Sequence, residues 1–177
     1  MSDFWVRKMK TYFNRIDFDK DGNITLKDFE GMGERFVEAE KLSADAGKVM
    51  KEKLVAIWNQ YISTLGDKSE SINEEKFIQA MSVMVKDPSQ KERMAGPLPL
   101  FFQAVDANGD DFIDSSEFGI FFKIFGLDEN MAPASFQAID TNNDGLLSKD
   151  EFITAGTDFF TSEDAACPTK LFWGPLV

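Results

Sequence analysis

The chain of 177 residues contains no histidine and only one cysteine, Cys167. These absences exclude an internal disulfide and a zinc site built from imidazoles and thiolates, so we expect Cys167 to be an ordinary reduced thiol. Histidine is also the most frequent general base in enzymes, and neither a glycine-rich phosphate loop nor a G-x-S-x-G elbow is present. The composition therefore predicts a protein that is not an enzyme.

Long apolar runs are missing as well, and no stretch is long enough to span a bilayer. Arg7, Lys8, Lys10 and Arg15 interrupt the N-terminal stretch, which therefore lacks the apolar core of a signal peptide. Ser2 stands where N-myristoylation requires glycine. We expect a soluble cytoplasmic protein.

Basic residues are few, since 19 lysines and arginines stand against 31 acidic residues and give a formal charge of −12. This charge makes nucleic acids and anionic membranes poor partners, and it favours cations or basic peptides. The common alternative is an acidic surface that only keeps the protein in solution, so the placement of the acidic residues along the sequence must decide between cation binding and solubility. Hydrophobic residues make up 43 % of the chain and include 18 phenylalanines, which is enough for a sizeable core.

Acidic residues recur in three twelve-residue stretches, which we call loops I, III and IV. They are "DFDKDGNITLKD" (17–28), "DANGDDFIDSSE" (106–117) and "DTNNDGLLSKDE" (140–151). Calcium takes six to eight oxygen ligands at roughly 2.3–2.6 Å, and a loop of this length can wrap around it. One such match can be accidental, because Asp, Asn and Gly are ordinary turn residues. Three matches in one chain indicate calcium sites.

The candidate ligands occupy positions one, three, five, seven, nine and twelve of each loop. In loop I they are Asp17, Asp19, Asp21, Asn23, Thr25 and Asp28. In loop III they are Asp106, Asn108, Asp110, the carbonyl of Phe112, Asp114 through a water molecule, and Glu117. In loop IV they are Asp140, Asn142, Asp144, the carbonyl of Leu146, Ser148 through a water molecule, and Glu151.

Two positions depart from this pattern. Loop I ends in Asp28, whose side chain is one methylene shorter than that of glutamate. We expect Asp28 to give the ion one oxygen, so that the ion has six ligands in all, and we expect loop I to prefer calcium over magnesium less strongly. The alternative is that helix movement brings both Asp28 oxygens to the ion. Loop III has Asp111 at the sixth position, where the turn needs a positive φ, and we expect this site still to bind.

An aromatic residue lies four positions before each of these loops, a phenylalanine follows each loop directly, and the eighth residue is apolar. This spacing predicts that helices enter and leave every loop toward a shared core, and that loops pair through short strands. The residues are Phe13, Phe29, Phe102, Phe118, Phe136 and Phe152, with Ile24, Ile113 and Leu147 at position eight.

A fourth stretch, "LGDKSESINEEK" (65–76), keeps the same register through Tyr61, Ile72 and Phe77, and we call it loop II. Leu65 and Lys76 replace its first and twelfth ligands, so an ammonium stands where the ion would lie. We therefore expect loop II to pair with loop I but to bind no metal.

The segment "KDPSQKERMAGPLP" between loops II and III contains prolines and a glycine that interrupt helix. We expect an N-terminal pair of loops in residues 1–87, a short linker in residues 88–97, and a C-terminal pair in residues 98–177. The linker is too short to be a flexible tether, so the halves should pack together. The apolar tail "LFWGPLV" (171–177) should fold back over the core between them, rather than dock a partner.

The chain resembles the invertebrate sarcoplasmic calcium-binding proteins, especially the annelid ones, over essentially its whole length. The resemblance is specific in "WVRKMKTYFNRIDFDKDG", "GPLPLFFQAVD", "MAPASFQAIDTNNDGLLS" and "FWGPLV". It implies an all-α fold of four EF-hands in two closely packed pairs with short β-bridges between loops. It also implies a soluble calcium and magnesium buffer of muscle sarcoplasm, with a role like that of parvalbumin and without enzymatic activity.

We accordingly expect three Ca²⁺ sites exchangeable with Mg²⁺, in a monomer without an obligatory protein, nucleic-acid or membrane partner. The alternative is a calcium sensor that regulates a target protein through a methionine-rich groove. Against it, Met9, Met32, Met50, Met81, Met84, Met94 and Met131 are scattered, which favours a role as core filler. Calcium-triggered photoproteins are similar in outline, but their pockets use histidines, which this chain lacks.

Overall fold

The computed structural model describes residues 1–65 and 70–177. Its helices are α1 (Asp3–Ile16), α2 (Leu26–Ala39), α3 (Ala44–Gln60), α4 (Glu74–Lys86), α5 (Lys91–Ala95), α6 (Leu98–Val105), α7 (Ser115–Ile124), α8 (Ala132–Ile139) and α9 (Lys149–Thr161). Its strands are β1 (Asn23–Thr25), β2 (Ser71–Asn73), β3 (Phe112–Ile113) and β4 (Leu147–Ser148). Short 3₁₀ turns cover Ile62–Thr64, Pro88–Gln90, Glu129–Met131 and Pro168–Leu171. None of the described helices is both long and apolar enough to cross a membrane.

The strands form two antiparallel pairs, β1 with β2 and β3 with β4. Ile24 lies opposite Ile72, and Ile113 lies opposite Leu147. All four side chains are buried, so the apolar eighth position of each loop points into the core from its bridge. The predicted pairing of loop I with II and of loop III with IV is confirmed.

The helix that leaves each of loops I, III and IV begins with a capping box. The ninth loop residue is the N-cap, and the carboxylate of the twelfth residue accepts a hydrogen bond from the backbone N–H of that N-cap. This arrangement satisfies amides that a helix N-terminus leaves free. The last residues of each loop therefore fix where its exit helix starts.

Aromatic residues at the predicted positions connect the two loops of each pair. The rings of Phe13 and Phe77 lie 5.7 Å apart, those of Phe102 and Phe152 also 5.7 Å, and those of Phe118 and Phe136 5.6 Å. The first residue of each couple precedes or follows one loop, and the second precedes or follows the paired loop. These contacts confirm the all-α fold with four EF-hands in two closely packed pairs.

Tyr61, which precedes loop II, is placed differently from its counterparts. It is half-buried rather than buried, and it packs against the segment that joins the two pairs. A Cβ atom at Gly96 would lie 2.1 Å from Cε1 of its ring, so glycine is needed for this contact. The joining segment itself is ordered into the 3₁₀ turn Pro88–Gln90 and α5.

The C-terminal tail fills the space between the two pairs of EF-hands. Phe172 and Trp173 are both 0 % exposed. The ring of Trp173 lies 4.9 Å from that of Tyr12 in α1 and 5.2 Å from that of Phe101 in α6. Arg15 of α1 also donates to the backbone carbonyl of Trp173 over 3.0 Å. The expectation that the tail covers the core is confirmed.

Candidate metal sites

Loop I gathers carboxylates at its first, third and fifth positions. One oxygen from each of Asp17, Asp19 and Asp21 lies within 4.8 Å of the others. Oδ2 of Asp17 accepts the N–H of Gly22 at 3.1 Å, whereas its buried Oδ1 has no hydrogen-bond partner among the described residues. A buried carboxylate oxygen without a donor is costly, and a bound cation would remove that cost.

Loop IV repeats this arrangement. Oδ2 of Asp140 accepts the N–H of Gly145 at 3.1 Å, and its buried Oδ1 is again unpaired within the described part of the chain. Asn142 and Asp144 face each other, since the amide Nδ2 of Asn142 donates to Oδ2 of Asp144 at 2.9 Å. The first ligands of loops I and IV thus share one orientation.

Loop III holds its first ligand differently. Oδ1 of Asp106 accepts the N–H groups of Gly109 at 2.8 Å and Asp110 at 3.2 Å, and Oδ2 accepts the N–H of Asp111 at 3.1 Å. Both carboxylate oxygens therefore have donors within the loop. Asn108 and Asp110 face each other as in loop IV, with Nδ2 and Oδ2 3.1 Å apart.

The twelfth residues of loops III and IV reach across their loops in the same way. Oε1 of Glu117 accepts the N–H of Asn108 at 3.2 Å, and Oε2 accepts the N–H of Asp114 at 3.0 Å. Oε2 of Glu151 accepts the N–H of Ser148, also at 3.0 Å. Each carboxylate thus lies between the start and the end of its loop.

Asp28 makes the equivalent contacts in loop I despite its shorter side chain. Oδ1 accepts the N–H groups of Phe18 at 2.7 Å and Asp19 at 3.2 Å, and Oδ2 accepts the N–H of Thr25 at 2.7 Å. The side chain is 1 % exposed. Loop I therefore closes tightly enough for an aspartate to span it, while the number of oxygens that Asp28 gives to an ion stays a prediction.

The seventh loop residues lie where the bridging strands begin: Asn23 and Phe112 are the first residues of β1 and β3, and Leu146 directly precedes β4. The backbone N–H groups of Asn23, Phe112 and Leu146 donate to the fifth-position carboxylates at 2.8, 2.9 and 2.9 Å. Phe112 and Leu146 are 40 % and 36 % exposed, and their hydrocarbon side chains offer no ligand atom. That their backbone carbonyls bind an ion stays a prediction.

Left-handed residues at the fourth and sixth positions shape all three loops. Asp111 has φ of 67°, beside 87° for Gly22 and 82° for Gly145 at the same position. Loop III has its glycine two residues earlier, at Gly109 with φ of 72°, where loop I has Lys20 at 62°. The expectation that Asp111 adopts a positive φ is confirmed, and this conformation strains a residue with a Cβ atom.

Burial and hydrogen bonding act differently on two of the acids. Burial raises the pKa of Asp17, and the N–H of Gly22 only partly opposes it. Burial alone would raise the pKa of Glu151, but hydrogen bonds from Ser148 and Thr141 lower it to about 2. Thr141, the second residue of loop IV, is not among the residues predicted from the sequence. Its hydroxyl donates to Oε1 of Glu151 at 2.8 Å, and a hydroxyl residue at this position is the sequence feature that could have indicated the contact.

These donor sets fit a hard cation. They consist of carboxylate, amide and hydroxyl oxygens without nitrogen or sulfur ligands, which suits Ca²⁺ or Mg²⁺ rather than zinc. The unpaired buried oxygens of Asp17 and Asp140 support the fit directly. Among the described residues, loop I alone brings three carboxylates within 4.8 Å of one another. That the predicted residues of the three loops bind an ion stays a prediction.

Loop II is described only in part, because residues 66–69 lie outside the described residues. Leu65 is half-buried, and Lys76 is exposed in the first turn of α4. The N-cap of that helix is Asn73, whose side chain accepts the N–H of Lys76 at 3.0 Å. That loop II binds no metal stays a prediction from the residues at its two ends.

Two family models match the chain, an EF-hand domain pair over residues 99–155 and an EF hand over residues 9–32. The sarcoplasmic calcium-binding proteins of Perinereis vancaurica tetradentata and Hediste diversicolor are 55 % and 56 % identical to it over 176 residues, which covers 99 % of this chain and 100 % of each relative. A coelenterazine-binding protein from Renilla muelleri matches in structure with a TM-score of 0.85 over 99 % of this chain and 100 % of that one. That likeness, at 24 % identity, shows the fold alone. The chain therefore belongs to the family of sarcoplasmic calcium-binding proteins and is a Ca²⁺-binding EF-hand protein.

Proposed function

We propose that the protein is a calcium buffer of the sarcoplasm that binds Ca²⁺ in loops I, III and IV and exchanges it with Mg²⁺. The observation that carries this proposal is the repeated framework of the three loops. In each, the carboxylates of the first, fifth and twelfth residues accept the N–H groups of the sixth, seventh and ninth residues, respectively. The replacement of both end ligands by Leu65 and Lys76 supports three sites rather than four.

Methionine burial favours a buffer over a sensor. Six methionines, Met9, Met32, Met50, Met81, Met84 and Met94, are at most 9 % exposed. A sensor groove needs adaptable methionines that become accessible to a target. The exposed large apolar residues of the described chain, such as Val49 and Val83, are scattered rather than grouped. A fixed core of this kind suits ion uptake without a large opening.

The filled interior argues against a carrier of a large aromatic ligand. The rings of Phe121 and Phe125 lie 5.4 and 5.6 Å from that of Trp173, which occupies the centre of the molecule. The cavity beside Tyr12 and Met81 has a volume of about 20 Å³. A drug-sized ligand needs on the order of 300 Å³, so the cavity holds no more than about one water molecule.

Magnesium exchange follows from the affinity that a buffer needs. Sites of this class reach dissociation constants on the order of 10⁻⁹–10⁻⁸ M for calcium, so magnesium fills mixed sites at resting calcium and must leave before calcium binds. Such kinetics suit relaxation rather than triggering. We further propose that the protein acts as a monomer, without enzymatic activity and without an obligatory protein, nucleic-acid or membrane partner.

Titration calorimetry with calcium, with and without millimolar magnesium, tests the proposal. We expect three calcium ions per chain and a clear loss of apparent affinity when magnesium is present, because the two ions compete. The fluorescence of an apolar dye, recorded in the same samples, should change little on calcium binding. Micromolar, magnesium-insensitive binding with a large rise in dye fluorescence would support the sensor instead.

A further inference from the structure

A lysine from the EF-hand of loop II lies beside the start of loop III. Lys53 is on α3, the helix that enters loop II, and its Nζ donates to the carbonyl oxygen of Gln103 at 3.1 Å. Gln103 is in the last turn of α6, three residues before Asp106, the first ligand of loop III. An ammonium from the N-terminal half is thus fixed one helical turn before a proposed metal site of the C-terminal half.

Lys53 and Asp106 also face the same surface cleft. This cleft has a volume of about 310 Å³ and is lined by α3 residues including Asp45, Val49 and Lys53, and by Gln103, Asp106 and Ala107. Lys53 is only partly exposed, so its charge is partly withdrawn from bulk water. The positive charge and the carboxylate can therefore interact across the cleft, in a medium that still contains water.

Loop III is also the loop whose first ligand needs a cation least. Both oxygens of Asp106 accept N–H groups from within the loop. In loops I and IV, by contrast, Asp17 and Asp140 each keep one buried oxygen without a partner among the described residues. A cation at loop III therefore relieves no buried, unpaired carboxylate oxygen of the first ligand, whereas a cation at loop I or IV does.

We propose that Lys53 lowers the affinity of loop III for divalent cations, so that a helix of the loop II EF-hand sets the strength of a site in the other half. The proposal rests on the proposed function, because it requires loop III to bind metal. A monovalent and a divalent cation on the two sides of a water-containing cleft repel each other, and after screening by salt at physiological ionic strength this repulsion corresponds to about a two- to fivefold change in affinity. Removal of the charge should raise the affinity of loop III by this factor and leave loop IV unchanged.

The position-six amides offer a separate signal for each site. The N–H groups of Gly22, Asp111 and Gly145 each donate to a first-ligand carboxylate at 3.1 Å, so a bound ion must shift their resonances. Calcium titrations of Lys53→Gln and the unchanged chain, followed by ¹H–¹⁵N NMR in competition with a chelator, give the three midpoints separately. We expect the midpoint at Asp111 to fall about two- to fivefold in calcium concentration, while the midpoint at Gly145 stays where it was.

Two further variants separate charge from structure. Lys53→Arg keeps a charged donor and should restore the original midpoint at Asp111. Lys48→Gln removes one charge from the same helix at a side chain that is 76 % exposed and paired with Glu52, and it should leave all three midpoints unchanged. High salt should reduce the difference that Lys53→Gln makes, because screening weakens the interaction across the wet cleft.

The proposal is overturned if Lys53→Gln leaves the midpoint at Asp111 unchanged, raises it, or shifts all three midpoints together. A raised midpoint would show that the bond to Gln103 positions α6 and that this role outweighs the charge. If the Asp111 amide of the unchanged chain does not respond to calcium at all, the proposed function of loop III fails, and this proposal fails with it.

Discussion

Replacement of Trp173 by alanine tests the role of the tail in the core. Trp173 is 0 % exposed, and its indole packs edge to face on the rings of Phe101 and Phe125. Loss of a buried Trp side chain costs about 3–5 kcal/mol when the cavity does not collapse. The buried indole N–H of Trp173 has no acceptor among the described residues, which costs about 1–3 kcal/mol that alanine would recover. We therefore expect Trp173→Ala to lower the free energy of unfolding by about 2 kcal/mol.

Trp173→Phe is the matched variant, because it keeps most of the ring contacts and removes the unpaired N–H. Its free energy of unfolding should lie within about 1 kcal/mol of that of the unchanged chain. Val83→Ala, at a side chain that is 64 % exposed, should change stability by less than about 0.5 kcal/mol.

Urea unfolding of the metal-free protein, followed by circular dichroism, measures all three variants. The metal-free state is used because bound calcium would add its own binding energy to the apparent stability. A loss below about 1 kcal/mol in Trp173→Ala would contradict the central placement of the tail. An equal loss in Trp173→Phe and Trp173→Ala would show instead that the indole N–H has an acceptor and contributes to stability.

Three further predictions concern single side chains. Asp28→Glu should raise the calcium affinity and weaken the magnesium affinity of loop I, because a longer carboxylate gives calcium two oxygens more readily; calorimetry with each ion checks this, and an unchanged ratio of affinities would contradict it. Asp111→Gly should leave the calcium affinity of loop III level or raise it, since it relieves a φ of 67°, whereas a severalfold loss would show that Asp111 helps to hold the metal. Burial lowers the pKa of Lys8 to about 8, against the opposing effects of Cys167, Asp158 and Glu163. Between pH 8 and about 10 the unfolded chain therefore binds a proton that the folded protein has lost, so stability should rise with pH relative to Lys8→Met, and parallel urea midpoints across this range would refute the shift.

The framework of the fold could be predicted from the sequence because it depends on local spacing. Phe13 and Phe77 contact each other as their positions relative to loops I and II require. The opposition of Ile24 and Ile72 follows from the same register. The flanking aromatic residues and the apolar eighth residue recur at the same spacing in each EF-hand, so the pattern of one loop supports the assignment of the others.

The parts that could not be predicted depend on contacts between distant segments. The bond from Arg15 to the carbonyl of Trp173 joins residues 158 positions apart, and no local pattern indicates it. The different hydrogen bonding of Asp106 could not be predicted either, because similar positive φ angles occur at the fourth residues of the three loops, Lys20, Gly109 and Asn143. Tyr61 fits the spacing rule but packs on Gly96 instead, because the joining segment lies against it.

Loop I separates what the length of a side chain predicts from what the loop itself determines. The sequence predicts that the shorter Asp28 gives an ion one oxygen rather than two, and this stays a prediction. In the structure its two oxygens reach backbone N–H groups at both ends of the loop, as those of Glu117 do. Loop closure is a property of the whole turn, so the length of one side chain does not determine it.

The number and location of bound calcium ions test the account most directly. Native mass spectrometry of the calcium-saturated protein should show three ions per chain. In the ¹H–¹⁵N spectrum, the amides of Gly22, Asp111 and Gly145 should shift on calcium binding, because each donates to a first-ligand carboxylate. The amide of Glu70, at the sixth position of loop II, should show no comparable shift. A fourth ion with a shifted Glu70 amide, or an amide among the other three that stays unchanged at saturation, would contradict the assignment of the sites to loops I, III and IV.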